Sequence, residues 1–177
     1  MIRDLEDADE RRYLEAVNDP ESHRWLSAIP LPRGPEQFAA MMRRRLLTAS
    51  LGQAVHWAVA DADSNAYLAH VTLFELDGLD HESGEVGYRA HPDARGRGVV
   101  TRALRAVLAH AFAPVGAGGI GLARVQLLAG EGNAASAGVA RACGFRETGR
   151  DRRVYLLPDG QVVDLLRFDV LRSEFAV

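Results

Sequence analysis

An arginine- and glycine-rich turn that leads directly into an amphipathic segment constrains this sequence more than any other feature. Residues 91–112 read HPDARGRGVVTRALRAVLAHAF, and apolar residues recur after the turn at the i, i+3 and i+4 spacing of a helix. No Ser, Thr or Asp stands in the capping position before this helix. The first N–H groups of a helix lack intrahelical partners and carry partial positive charge. Since Gly96 and Gly98 also allow close approach to the backbone, the turn predicts an anion site.

The charge of the turn fits this prediction but leaves an alternative open. Arg95, Arg97 and Arg102 can add charge-assisted hydrogen bonds to a phosphate. A glycine turn with solvated arginines explains the same residues equally well. A Walker loop needs Gly-Lys-Ser/Thr, which is absent, and a Rossmann loop needs a third glycine near Thr101.

The rest of the chain divides into a helical first third and a strand-rich remainder. The first third predicts a helix beginning at Asp7 or Asp9 and closed by Pro20, a loop over 28–35 and a second helix over 36–50. Further on, strands are predicted over 54–61, 66–76, 84–91 and 122–130, with a short helix over 133–145 and a terminal hairpin that turns at 158–160. This order predicts one α/β (or α+β) domain over 1–177, built on a mixed sheet.

Composition limits the kinds of protein this chain can be. With 177 residues and 47% hydrophobic content, the chain is an ordinary globular domain in size and composition. A net charge of −3 disfavours non-specific nucleic-acid binding, and no apolar run is long enough to span a membrane. The single cysteine, Cys143, rules out an intrachain disulfide and a cysteine-based zinc site. We expect a cytoplasmic protein with no metal, no nucleic-acid partner and no membrane association.

Two stretches, GEVGYRAHPDARGRGVVTRALRAVLAHAF and LARVQLLAGEGNAASAGVARACGFRETGR, carry a family resemblance. They resemble the GNAT superfamily of acyl-CoA-dependent N-acetyltransferases, within it the RimJ/RimL-type group of ribosomal-protein N-terminal acetyltransferases. The acyl-CoA motif Q/R-x-x-G-x-G/A falls on Arg95, Gly98 and Val100. Valine departs from the Gly or Ala of the family, and we expect it to narrow the space near the pyrophosphate or to shift the helix slightly.

The second motif of the resemblance, N-x-x-S-x-x-V-A-x-x-x-G-F, begins at Asn133 and includes Ser136. The opening segment RDLEDADERRYLEAVNDPESHRWL and the tail VVDLLRFDVLRSEF are also similar to that group, so the resemblance covers nearly the whole chain. It implies an acyl-CoA N-acyltransferase fold, with a mostly antiparallel mixed sheet, splayed central strands and flanking helices. It also implies a homodimer through the terminal hairpin.

The reaction implied by the resemblance is direct attack of a primary amine on the thioester of acetyl-CoA. The amine belongs to a protein N-terminus or to a small molecule. The pantetheine arm is expected between strands 84–91 and 122–129, with a backbone N–H near 88–90 as the oxyanion donor. The expected cofactor-binding residues are Tyr88, Arg89, Ala90, Arg95, Gly96, Arg97, Gly98, Val99, Val100, Thr101, Asn133 and Ser136.

Two residues are candidates for proton transfer. Glu85 is the leading general base, acting directly or through a water, with Glu82 and His91 in reserve. A solvated strand residue is the equally weighted alternative for Glu85. In the RimJ/RimL-type group, Ser136 stands where many relatives use a tyrosine as general acid, and the alternative is a small residue that packs beside the cofactor. Asn133 is expected to cap the helix that it opens.

The acceptor side of the site is less defined by sequence. Trp25, with the loop around it, and Tyr155 in the last hairpin are expected to rim the acceptor site, although Trp25 fits the core equally well. Arg24, Arg33 and Arg89 would favour an acidic peptide or carboxylate. The competing functions are an acyl-CoA-binding module with little or no catalysis and an unrelated nucleotide-binding domain.

Overall fold

One mixed β-sheet organises the protein, which a computed structural model describes over residues 1–26, 31–76 and 82–176. The strands are β1 (Ile2–Arg3), β2 (Ala54–Ala60), β3 (Tyr67–Phe74), β4 (Ser83–Ala90), β5 (Arg124–Gly130), β6 (Arg146–Leu156) and β7 (Val162–Leu171). The helices are α1 (Glu10–Asn18), α2 (Pro20–Leu26), α3 (Pro35–Ser50), α4 (Val99–Phe112) and α5 (Ala134–Ala142). The strand order is β1-β2-β3-β4-β5-β7-β6.

The centre of the sheet opens into a fork. β4 and β5 are parallel, and their register covers only 83–85 against 124–126. Beyond Glu85 the two strands pair with their outer neighbours, β3 and β7, but not with each other. The other neighbouring pairs are antiparallel, so the predicted sheet with splayed central strands is confirmed.

Helices cover both faces of the sheet because successive side chains of a strand point to opposite faces. On one face, α4 buries its apolar stripe, including Leu104 and Leu108, at 0% exposure in the main core. On the other face, α1 and α3 pack a second cluster that includes Tyr13, Phe38 and Tyr67. Among the described residues, no helix is both long and apolar enough to cross a membrane.

The N-terminal region differs from the prediction in three ways. α1 does end before Pro20, but the chain re-enters a helix there, because proline is tolerated in a first turn. The short edge strand β1 was not predicted, since two residues are too few to show a pattern. Asp9 does not cap α1 by its side chain. Its carboxylate accepts the Glu6 N–H and pairs with Arg3 at 2.7 Å instead. Part of the predicted 28–35 loop lies outside the described residues.

Candidate active site

The turn before α4 presents backbone donors without backbone partners. Gly96 and Gly98 have φ of 69° and 68°, a left-handed conformation that glycine adopts at little cost. Within the described residues, the hydrogen bond that opens α4 runs from the Arg102 N–H to the carbonyl of Gly98, the residue before the helix, at 3.1 Å. The N–H groups of 96–101 donate to no backbone carbonyl in that part of the chain. The turn therefore has the open amides that an anion site needs.

Val100, the departure from the family motif, does not crowd this turn. Its side chain is 8% exposed and belongs to the main core beneath α4. The expectation that it narrows the space at the turn is therefore wrong, because helical geometry directs this side chain toward the sheet.

The arginines of the turn are bound to protein acceptors. Arg95 pairs with Asp19 and donates to the Ser22 hydroxyl at 3.1 Å, which ties the turn to the beginning of α2. Burial alone would raise the pKa of Asp19, but hydrogen bonds from Arg95 and the Ser22 N–H hold it below its usual value. Arg97 and Arg102 bond to carbonyls of the turn itself. An arriving phosphate therefore has to compete for Arg95 with Asp19.

Glu85 is at the vertex of the fork, as the last β4 residue that pairs with β5. Burial raises its pKa to about 7, helped by the like charge of Glu75 and opposed by Arg167. A carboxylate with this pKa is partly deprotonated at neutral pH and can accept a proton efficiently. Gly84 precedes it, where an added Cβ would lie 2.9 Å from Leu76 and 3.3 Å from the Phe74 carbonyl. The backbone next to Glu85 is therefore tightly packed at Gly84.

Ser136 meets a tyrosine that reaches across from the opposite side of the fork. The Tyr88 hydroxyl donates to the Ser136 carbonyl at 3.0 Å and lies 3.1 Å from Ser136 Oγ. Burial raises the pKa of Tyr88 well above its usual value, so the phenol keeps its proton. The Asn133 side chain accepts the Ser136 N–H at 3.1 Å, which confirms the predicted cap. The sequence predicts Tyr88 as a cofactor-binding residue near the oxyanion N–H and gives its hydroxyl no role, although the alternation of β4 would have placed its ring on the α5 face.

Trp25 and Tyr155 come together at the far end of β5. The Tyr155 hydroxyl donates to the Trp25 carbonyl. A Cβ on Gly130 would lie 3.1 Å from the Trp25 ring and 3.2 Å from the Tyr155 ring, so both rings cover the end of this strand. Trp25 is partly exposed and donates its indole N–H to Glu21 at 2.8 Å. The two residues therefore lie together, and their predicted place at the rim of an acceptor site stays a prediction.

The side chains of two other proposed residues are buried in contacts within the protein. Arg89 is 7% exposed, with its guanidinium 4.5 Å from the centre of the Tyr13 ring, so its side chain does not face an acceptor. His91 is 4% exposed, accepts the Asp93 N–H at Nδ1 and lies 3.1 Å from Glu15 at Nε2. This geometry makes His91 a residue that fixes the start of the turn, because both of its nitrogens are used.

A fork between parallel strands, beside a helix whose first amides are open, defines the acyl-CoA N-acyltransferase class of fold. Sequence comparison then fixes the family. Residues 1–146 match the family described as Acetyltransferase (GNAT) domain, and the chain belongs to this family.

A curated relative is the Bacillus subtilis protein YdaF, named as a ribosomal N-acetyltransferase. It is 30% identical over 105 residues, which are 59% of this chain and 54% of YdaF. The match therefore spans about half the length of that relative.

Solved structures share the fold over nearly the whole chain. Mycobacterium smegmatis RimJ in complex with CoA-disulfide has a TM-score of 0.83 at 20% identity, covering 98% of this chain and 82% of its own. A ribosomal-protein-S5-alanine acetyltransferase from Vibrio fischeri has a TM-score of 0.80 at 18% identity, covering 99% and 94%. A Vibrio cholerae spermidine N-acetyltransferase in complex with CoA and spermine has a TM-score of 0.79 at 20% identity, covering 98% and 96%.

Proposed function

We propose that this protein transfers an acetyl group from acetyl-CoA to a primary amine by direct attack. The observation that carries the proposal is the end of the β4–β5 ladder at Glu85, on the strand that leads to the open amides of 96–101. A fork alone would accept any extended chain, and open amides alone would accept any phosphate. A cofactor that joins a diphosphate to an extended amide-bearing arm fits both features at once.

The residues present fit two parts of acetyl-CoA, the diphosphate and the extended arm. The amides of 96–101 would hold the diphosphate, and Arg95 and Arg97 would add charge once they leave their present acceptors. The unpaired strand edges of 86–90 and 127–130 would hydrogen-bond the arm, with Asn133 beside it. Acetyl-CoA supplies the thioester carbon that the amine attacks, and a backbone N–H of 88–90 would polarise its carbonyl.

Glu85 is our proposed general base. It would take a proton from the ammonium form of the acceptor, directly or through a water, so that the nitrogen lone pair becomes available. A pKa of about 7 suits this task, because the group is deprotonated often enough to act and basic enough to accept. The packed vertex around Gly84 would hold its backbone in place.

Ser136 is our proposed proton donor to the departing sulfur. Its hydroxyl lies 3.1 Å from the Tyr88 hydroxyl, which in turn donates to the Ser136 carbonyl. When Ser136 gives its proton to the thiolate, the Tyr88 hydroxyl can redirect its hydrogen bond to Ser136 Oγ while keeping its own proton, and solvent would then reprotonate the serine. The pair would therefore act together, and the phenol would stabilise the transient charge on serine.

The acceptor is a primary amine that we place beside Trp25 and Tyr155. Two solved structures with the same fold are named as a ribosomal-protein-S5-alanine acetyltransferase and a spermidine N-acetyltransferase. A protein N-terminus and a polyamine are therefore the two candidate acceptors. A cytoplasmic location, a homodimer through the terminal hairpin, and the absence of nucleic-acid or membrane partners stay predictions.

A ligand titration followed by an amine panel tests the proposal. Acetyl-CoA at about 100 times its Kd should stabilise the native state by about 2.7 kcal/mol and raise Tm by roughly 5–11 °C. NAD and ATP are the controls, and neither should raise the Tm. Free thiol release is then measured with an alanine-starting peptide and with spermidine. A Tm shift with no thiol release from any amine would favour a binding module, and no shift at all would remove the proposal.

A further inference from the structure

Two arginines are buried on the face of the sheet opposite α4, away from the turn that we assign to the diphosphate. Arg45 on α3 is 9% exposed and Arg89 on β4 is 7% exposed. The Arg89 guanidinium stacks 4.5 Å from the centre of the Tyr13 ring, in the layer between α1 and the sheet. Burying a cation is costly unless an anion or several acceptors compensate it.

Several donors of this cluster lack a hydrogen bond of good geometry in the part of the chain that the structure describes, although the Tyr13 and Tyr67 hydroxyls lie close enough to Arg89 to interact with it. Five buried side-chain atoms have no hydrogen-bond partner there, namely Arg45 Nη1, Arg89 Nε, Arg89 Nη2, Tyr67 Oη and His70 Nδ1. Four of these five atoms can donate as N–H or O–H, and the fifth can donate in one histidine tautomer. Buried polar groups in native proteins are rarely left unsatisfied, so such a concentration calls for a missing acceptor.

Among the residues that the structure describes, the groups next to the two arginines do not supply the negative charge. Burial raises the pKa of Tyr67 to about 12, and burial with the nearby arginines lowers that of His70, so both are neutral at pH 7. Burial lowers the pKa of Arg45 to about 10, which still leaves it charged. The buried carboxylate of the N-terminal region, Asp9, is bound to both terminal nitrogens of Arg3, at 2.7 and 2.8 Å. Asp4, which acts on Arg45 from a distance, is exposed.

We infer that a single small inorganic anion, of the halide class, binds between Arg45 and Arg89 with the Tyr67 hydroxyl as a third donor. Donors without acceptors select a ligand that only accepts, and two guanidinium groups select a negative one. The aromatic packing limits its size, since the Tyr13 ring lies 5.2 Å from Phe38, 5.9 Å from Tyr67 and 5.9 Å from His70 between ring centres. The anion would hold α1 and α3 onto the sheet, and this role does not depend on acetyl transfer.

The test compares the thermal stability of the full chain in sodium chloride and in sodium gluconate at one fixed ionic strength. Chloride should give a saturable rise in Tm of roughly 3–10 °C in the wild type. Arg45→Met should abolish the rise, whereas Arg44→Met, an exposed neighbour on the same helix, should keep it in full. Equal Tm values in the two salts would overturn the inference. A rise that survives in Arg45→Met would place the anion elsewhere and would overturn it too.

A second measurement covers the case in which Arg45→Met does not fold. Wild-type crystals grown or soaked in bromide should show an anomalous peak between the Arg45 and Arg89 guanidinium groups. Absence of that peak at saturating bromide would overturn the inference. Neither readout involves acetyl-CoA, so a negative result here leaves the proposed function standing, and the reverse also holds.

Discussion

At the scale of single residues, Glu85 depends on its surroundings for its chemistry. An exposed glutamate would be fully ionised at pH 7 and a poor base. Burial at the fork and the like charge of Glu75 raise its pKa to about 7, while Arg167 works in the opposite direction. Because Glu75 and Arg167 shift the pKa of Glu85 in opposite directions, substitutions at these neighbours can test the role of Glu85 while Glu85 itself stays unchanged.

We expect the pH dependence of kcat/KM to report this carboxyl group. For the wild type, kcat/KM should rise about tenfold per pH unit and level off above roughly pH 7, because only the deprotonated base acts. Glu85→Gln should lower turnover about 100-fold and flatten the profile. Glu75→Gln removes a like charge, so the bend should move to lower pH with an unchanged plateau. A bend that stays in place in Glu85→Gln would assign the base to another group.

The Ser136–Tyr88 pair makes a second prediction at this scale. Ser136→Ala should lower kcat about 10- to 100-fold and Tyr88→Phe about tenfold, with the Kd for acetyl-CoA changed less than about twofold. The double variant should be no slower than Ser136→Ala, since residues that act as a unit are non-additive. Full rates in both single variants, measured by thiol release, would support the packing role for Ser136.

At the scale of elements, α4 begins in an unusual way. Its first residue follows Gly98 in a left-handed conformation, and no side chain caps it. An added Cβ at Gly98 would lie 3.1 Å from Arg102 Nη1, which is bonded to the Arg97 carbonyl. The turn is therefore shaped by glycine and by its own arginines, with the amides left open.

We expect Gly98→Trp to lose acetyl-CoA binding by at least about 100-fold, because the ring would occupy the space over these amides. Gly52→Trp is the matched control. Gly52 has a similar φ of 70° with open space around it and lies beyond α3, so it should suffer the same backbone strain with unchanged affinity. Titration calorimetry measures both variants. Retained affinity in Gly98→Trp would place the diphosphate elsewhere.

At the scale of the whole molecule, the site is a gap within the sheet. β3 holds one side of it and β7 the other, so the fork stays open without a ligand. Arg95 joins the turn to Asp19 at the beginning of α2, the helix that contains Trp25. The proposed cofactor side and the expected acceptor side are thus linked through Arg95.

Hydrogen exchange should show whether bound acetyl-CoA fills the gap between β4 and β5. Acetyl-CoA should slow exchange of the backbone amides of 86–90 and 127–130 that point into the gap, because the arm supplies acceptors that the missing ladder does not. Amides of β2 and β3, already paired with each other, should change little and serve as the internal control. Protection confined to the turn before α4 would contradict an arm bound in the fork.

Local features of the fold could be predicted from the sequence because neighbouring residues decide them. The spacing of apolar residues predicts α4, Asn133 caps α5, and Gly160 has a φ of 84° in the turn between β6 and β7. The helix α2 was not predicted because Pro20, its first residue, is also typical of the end of a helix. Asp9 was wrongly predicted to cap α1 with its side chain, because its actual partner, Arg3, lies outside the helix.

By itself, the sequence determined the order of most elements and the glycine turn before α4, and it predicted a shared site for Glu85 and Ser136. Periodicity, capping and turn formation act over a few residues, so they can be read along the chain. Only the tertiary structure decided that Tyr88 meets Ser136, that His91 serves the turn and that Arg45 and Arg89 are buried together. Hydrogen bonding and desolvation depend on groups brought together from distant parts of the chain, and no local pattern encodes those encounters.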